Sequence, residues 1–252
     1  MSDQSFLAWP FFEDAHRAQS QEFERWAADV LPSLLDGGED DLDSVYACVK
    51  RLVRALGSAG LLRVCVPAAY GGLHDKLDVR SLCLAREILG RASGLADFAL
   101  AMQGLGSASV TLFGSEAQKQ ALLPGIAAGT RIGAFALSEP DAGSDVGAIA
   151  TTAKREGKEW RLDGVKTWIS NAGLADQYVL FARTGEGPGT KGLSAFIVDA
   201  GTPGLDASER IDTISPHPLG TLRLNNCRIP LSSLLGEPGQ GFKIAMATLD
   251  IF

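Results

Sequence analysis

The chain has 252 residues, enough for one large domain or two ordinary ones, and 46% of them are hydrophobic, which suffices for a real core. Its 23 Lys and Arg against 30 Asp and Glu leave a net charge of -7, which opposes binding to a nucleic acid duplex or an anionic membrane surface. An anionic ligand must then be met by local donors, such as helix N-termini or single arginines.

The opening stretch, MSDQSFLAWPFFEDAHRAQ, has no basic segment followed by an apolar run, so no secretory signal is expected. Up to about residue 127 the hydrophobic period is helical. Glu13 to Leu35 carries Phe23, Trp26, Val30 and Leu34 on one face, and Leu42 to Leu56 and Leu77 to Leu89 follow. Leu95 to Phe113 comes next, then Ser115 to Ile126, where Ser115 is the N-cap and Gln118 sits at the capping-box position. These segments predict a helical bundle. Gly94 to Gly114 is the most membrane-like run, but Asp97, Gln103 and its glycines point to a buried helix, and no membrane span is expected. Cys48, Cys65, Cys83 and Cys227 show no C-x-x-C pairing, and buried reduced thiols imply a cytoplasmic protein.

From Arg131 onward the texture changes to short β-rich runs broken by Gly, Pro, Asp and Asn. The predicted strands are Ile132 to Leu137, Ile149 to Lys154, Trp160 to Leu162, Gln177 to Ala182, Leu193 to Val198 and Thr221 to Leu224. LDGVK, residues 162–166, carries the Asp-Gly pair of a tight turn. TGEGPGTKG, residues 184–192, looks like a phosphate loop but precedes a strand where a helix should begin, so it reads as a hairpin. Strands at this spacing suggest a small barrel or sandwich. The final GFKIAMATLDIF reads as a helix with Phe242, Ala245, Met246, Leu249 and Phe252 on one face and no C-cap signal, so the chain is expected to be cut short.

Two segments suggest chemistry. In FALSEPDAGSDVGAIATTA, residues 135–153, Pro140 and Gly143 punctuate a turn in which Ser138, Ser144 and nearby amides are short donors. Such a loop can hold a phosphate or a flat polar ring, or it is a well-capped hairpin. In GVKTWISNAGLAD, residues 164–176, Trp168 lies in a strand beside Ser170, as a core residue or as a platform for a ligand.

LSEPDAGSD followed by DGVKTWISNAG resembles the acyl-CoA dehydrogenase family, whose members carry T-E-P-x-A-G-S-D and G-x-K-x-W-I-T-N-G. VPAAYGG at 66–72, GSEAQKQALLP at 114–124 and GFKIAMATLDIF at 241–252 are similar to further motifs of that family. The resemblance implies an N-terminal helical domain, 1–127, a middle β-barrel or sandwich domain, 128–238, and the start of a C-terminal helical bundle, 239–252. It also implies FAD as cofactor. Phe135, Leu137 and Ser138 would run along the flavin, Gly143 and Ser144 would approach the pyrophosphate and the thioester, and Trp168, Ile169 and Ser170 would border the isoalloxazine. Ser138 and Ser170 stand where the family usually has Thr; either hydroxyl can donate.

The implied reaction is flavin-dependent α,β-dehydrogenation of an acyl-CoA or acyl-carrier thioester. Electrons would pass to an acceptor such as electron-transfer flavoprotein. The catalytic base in most relatives is a Glu from the C-terminal domain, and the minority position coincides with Phe252, so none of these 252 residues is assigned as base. The fragment is expected to be inactive alone. Glu139 and Asp145 are expected to hold their turn together. By resemblance the helix at 98–114 lines the acyl pocket, with Met102, Gly106 and Ser144 as substrate-binding residues. Its small residues, Gly104, Gly106, Ser107 and Ala108, either leave room for a branched or cyclic acyl group or serve close helix packing. His16, His74 and His217 show no ligand spacing, and no metal site is expected. Two other readings remain open: an acyl-CoA oxidase or flavin monooxygenase of the same fold, and a non-catalytic flavin- or thioester-binding subunit completed by a partner chain. A homo- or hetero-oligomer is expected.

Overall fold

The computed structural model describes residues 4–35 and 41–252. The first three residues of the stretch read for a leader, and residues 36–40, lie outside them. Helices come first: α1 (Asp14–Asp29), α2 (Leu31–Leu35), α3 (Leu42–Ser58), α4 (Val79–Ala92), α5 (Gly94–Phe113) and α6 (Glu116–Ala127). The single helix expected from Glu13 to Leu35 is two, because Pro32 has no N–H for the carbonyl of Ala28. Asp41 and Asp78 cap α3 and α4 by accepting the backbone N–H of Ser44 and Arg80. Ser115 and Gln118 form the expected capping box of α6.

The second half holds β1 (Gly133–Ala136), β2 (Thr152–Glu156), β3 (Glu159–Ser170), β4 (Gln177–Arg183), β5 (Leu193–Asp199), β6 (Leu205–Arg210), β7 (Leu219–Pro230) and β8 (Leu234–Leu235), followed by α7 (Gly241–Leu249). They form one eight-stranded mixed sheet, β6-β7-β3-β2-β4-β5-β8, with β1 also on β4. In β4 every residue from Gln177 to Ala182 is buried, and in β5 every residue from Leu193 to Val198, so both faces of these strands lie in the core.

β1 and β2 share a single lane between β3 and β4. Gly133–Ala136 pair in parallel with Gln177–Leu180, and Thr152 pairs farther along the same strand, with Arg183. On the other side Asn171 Nδ2 donates to the Gly133 carbonyl at 3.1 Å, the Thr167 N–H donates to the Ser138 carbonyl at 3.0 Å, and Thr152 faces Asp163. The hairpin alternative for residues 135–153 is therefore corrected: β1 and β2 do not pair with each other. The chain leaves its lane after Ser138 and returns to it at Thr152.

The Asp-Gly turn expected at 163–164 is also corrected. The β2–β3 turn is at Gly157–Lys158, and Gly164, φ 154°, sits inside β3 at a register shift opposite β7. A Cβ there would stand 2.4 Å from Thr151 Oγ1, so only glycine lets β3 pass. TGEGPGTKG does join the antiparallel β4 and β5. In α7 the buried residues are Gly241, Ile244, Ala245 and Thr248, and Met246 and, just beyond the helix, Phe252 pack half-buried against the core, whereas Phe242 and Leu249 are exposed, so the predicted stripe holds at Ala245, Met246 and Phe252 and fails at Phe242 and Leu249. The Thr248 and Ser109 hydroxyls meet at 2.7 Å and tie α7 to α5.

Candidate functional site

The excursion between Ser138 and Thr152 is closed at its neck by a carboxylate. Glu139 Oε2 accepts the N–H of Ala150 at 2.7 Å and Oε1 that of Thr151 at 3.1 Å, where the chain comes back. Lys166 reaches the same point from β3, with Nζ 2.7 Å from Glu139 Oε1 and 3.0 Å from the Leu137 carbonyl. Lys166 is fully buried. Burial pulls its ammonium down to about 8 against the upward effect of Glu139. Burial pushes the Glu139 carboxyl up, but the Lys166 charge and the surrounding hydrogen bonds outweigh it and hold it below the ordinary carboxylate value. Glu139 thus holds the turn, and Asp145 does so on a smaller scale by accepting the Gly147 N–H.

Two residues along β3, Trp168 does the opposite of Lys166. Residues two apart in a regular strand share a face. Here the pairing with β7 slips between Lys166 and Ile169, and Trp168 adopts φ 59°. This bulge lets Lys166 enter the core while the indole of Trp168 stands 60% exposed. The core reading of Trp168 is corrected.

The indole borders a groove of about 450 Å³. Phe135, Leu137 and Ser138 from β1 and its end line it, as do Gly143 and Ser144 from the excursion and Trp168, Ile169 and Ser170 from β3. Met102 of α5 forms part of the opposite wall. All eight residues predicted from the sequence as a flavin contact set are therefore brought together. Four lining residues lay outside that prediction: Leu105, Val146, Met246 and Leu249. The i, i+3 spacing of Met102 with Leu105, and of Met246 with Leu249, was the available signal.

Gly106 is not on the groove. A Cβ on it would stand 2.6 Å from the Gly133 carbonyl carbon, so its role is close approach of α5 to β1. Gln103 reinforces that contact by accepting the Gly133 N–H and donating to the Arg131 carbonyl. Ser107 bonds its own helix and Ala108 is fully buried, so packing explains these small residues. Gly104 faces the ring of Phe252.

The groove suits a flat ring with a polar edge. One wall is an uncovered indole, the rim at Gly143 is open space with no atom of the described residues within 4 Å of a Cβ built there, and the Ser138 and Ser170 hydroxyls engage no group among the described residues. No Asp or Glu lines it. Far away, the rings of His16 and His74 stack at 6.4 Å, although their sequence positions gave no hint of it. His16 accepts the Glu13 N–H and meets Asp78 at 3.1 Å, completing a cap. Among the described residues no cluster of His, Cys, Asp or Glu could hold a metal, and no helix is long and apolar enough to cross a membrane.

Residues 13–130 match the family model described as acyl-CoA dehydrogenase, N-terminal domain, and residues 134–227 the model described as acyl-CoA dehydrogenase, middle domain. The chain belongs to the acyl-CoA dehydrogenase family. It is 40% identical to the short-chain specific acyl-CoA dehydrogenase, mitochondrial, of Homo sapiens over 232 residues, 88% of this chain and 56% of that protein. The structure is similar to butyryl-CoA dehydrogenase from Megasphaera elsdenii, with TM-score 0.83 and 31% identity over 95% of this chain and 63% of that one. It is similar also to an acyl-CoA dehydrogenase complexed with FAD from Bacillus anthracis, with TM-score 0.82 and 35% identity over 95% of this chain and 41% of that one. The chain spans about half the length of the curated relatives it matches.

Proposed function

We propose that the protein holds FAD in the groove and takes part in α,β-dehydrogenation of an acyl thioester. The observation that carries this reading is the convergence of Trp168, Ser138 and Ser170 on one uncovered surface, produced by a bulge and an interrupted strand lane. FAD, when bound, supplies the acceptor for the hydride that leaves the β carbon.

The chain's own residues bind, orient and exclude water. The Ser138 and Ser170 hydroxyls donate to the polar edge of the ring, and the Trp168 indole packs beside it. Gly143 and Ser144 let backbone approach the pyrophosphate and the thioester. Phe135, Leu137, Ile169 and Met102 keep water from the reacting carbons. Because the groove lining has no carboxylate, the reading assigns the base that removes the α proton to a segment beyond Phe252. It also assigns residues 1–127 to a helical domain, 128–238 to a β domain and 239–252 to the start of a further helical one. Acyl-CoA or an acyl-carrier thioester is the substrate, and electrons pass to an acceptor such as electron-transfer flavoprotein. The four free cysteines, three of them buried, support a cytoplasmic protein in this reading, which also takes the protein to be a homo- or hetero-oligomer.

Titration of the chain with FAD, followed by flavin fluorescence, tests this function. Affinity that falls in Trp168→Ala and in the double variant Ser138→Ala/Ser170→Ala supports it. Affinity indifferent to all three substitutions contradicts it.

A further inference from the structure

α5 borders two cavities. The groove meets it at Met102 and Leu105, and a second cavity of about 430 Å³ meets it at Asp97, Phe98, Ala101 and Met102. Phe98, Ala101, Met102 and Leu105 fall at i, i+3, i+4 and i+7, so they make one stripe about 10 Å long. Met102 belongs to both cavities.

The far end of the stripe is polar and carries no net charge. Arg86 donates from Nε and Nη2 to the two carboxylate oxygens of Asp97, each at 2.9 Å. That leaves its Nη1 without a hydrogen-bond partner among the described residues. His217 Nδ1 donates to the Ser215 carbonyl at 2.8 Å, and its ring lies 5.0 Å from that of Phe98. Its Nε2 then has no partner among the described residues either.

We propose that this second cavity receives the tip of the acyl group and selects a neutral hydrogen-bonding tip, a hydroxyl or carboxamide, over a methyl end of equal length. This rests on the thioester reading above. A hydroxyl can donate to His217 Nε2 and accept from Arg86 Nη1, satisfying groups that a methyl end leaves unpaired. A carboxylate tip meets Asp97 and an ammonium tip meets Arg86, and neither finds an uncompensated opposite charge. Phe98 and Ala101 cover the methylenes on the way.

Isothermal titration calorimetry of the FAD-saturated chain with hexanoyl-CoA and 6-hydroxyhexanoyl-CoA tests the proposal. The hydroxylated thioester is expected to bind at least about five-fold tighter, the effect of the neutral hydrogen bond to His217 alone, with the bond from the Arg86 guanidinium adding to it. In His217→Phe, which keeps an aromatic ring against Phe98, and in Arg86→Lys, which keeps a cation for Asp97, the preference shrinks towards parity. Thermal melting checks that both variants fold. Equal affinities in the unsubstituted chain, or a preference that survives in both variants, overturn the tip-selection proposal alone. Failure of both thioesters to bind overturns the thioester reading and this proposal with it.

Discussion

Lys166 Nζ stands 2.7 Å from Glu139 Oε1 at the point where the chain leaves and re-enters its strand lane, so one buried ion pair closes the neck of the loop that carries Gly143 and Ser144. Removing only one partner leaves an uncompensated charge in the core. Lys166→Met is expected to cost about 3–5 kcal/mol by chemical denaturation, and the double variant Lys166→Met/Glu139→Gln clearly less. Equal losses in the two would show that the charge pair is not what holds the neck.

Trp168 invites a prediction in which stability and binding separate. A tryptophan at φ 59° with 60% of its surface exposed contributes little to folding, and glycine adopts that backbone without strain. Trp168→Gly is expected to hold or gain stability, by up to about 1 kcal/mol, while weakening FAD binding. A large loss in melting temperature would return Trp168 to the core.

Much of this arrangement was legible in the sequence, for specific reasons. The capping box at Ser115, the apolar faces of α3 and α5 and the β4–β5 hairpin follow local rules that need no tertiary context. The groove set was legible through motif resemblance, not through pattern. What escaped depended on pairing: β6 is an exposed edge strand, LDASER, without a clean alternation, and most of β3 was hidden by its two register shifts. The face that α7 buries was only half legible, because Leu249 borders a groove instead of a core and Met246 borders both.

Glycine at 106 and glycine at 143 should behave oppositely. Any Cβ on Gly106 collides with the Gly133 backbone, whereas one on Gly143 meets nothing within 4 Å. Gly106→Val is expected to lower stability by about 1–3 kcal/mol, and Gly143→Ala to leave melting unchanged while narrowing the groove rim. A neutral Gly106→Val would mean that α5 and β1 are not in close contact.

Acid should loosen the helical half and the loop neck together. The hydrogen bond from the Arg80 guanidinium, then that of His16, holds the Asp78 carboxyl well below its ordinary value of 3.8, and Glu139 is held below 4.5. Both carboxyls are lowered on folding, so their contribution is present above those ordinary values and is lost as pH falls below them. The denaturation midpoint is expected to decline below about pH 4.5, with a shallower decline in Asp78→Asn. An Asp78→Asn chain with the same pH dependence as the unsubstituted one would remove Asp78 from the account.

The central claim is that the Ser138 and Trp168 surface takes an isoalloxazine. A crystal structure of the chain soaked in excess FAD addresses it most directly. Planar ring density bordered by Trp168, with its polar edge at the Ser138 and Ser170 hydroxyls, is the predicted result. FAD seated elsewhere, with that groove occupied only by solvent, would contradict it.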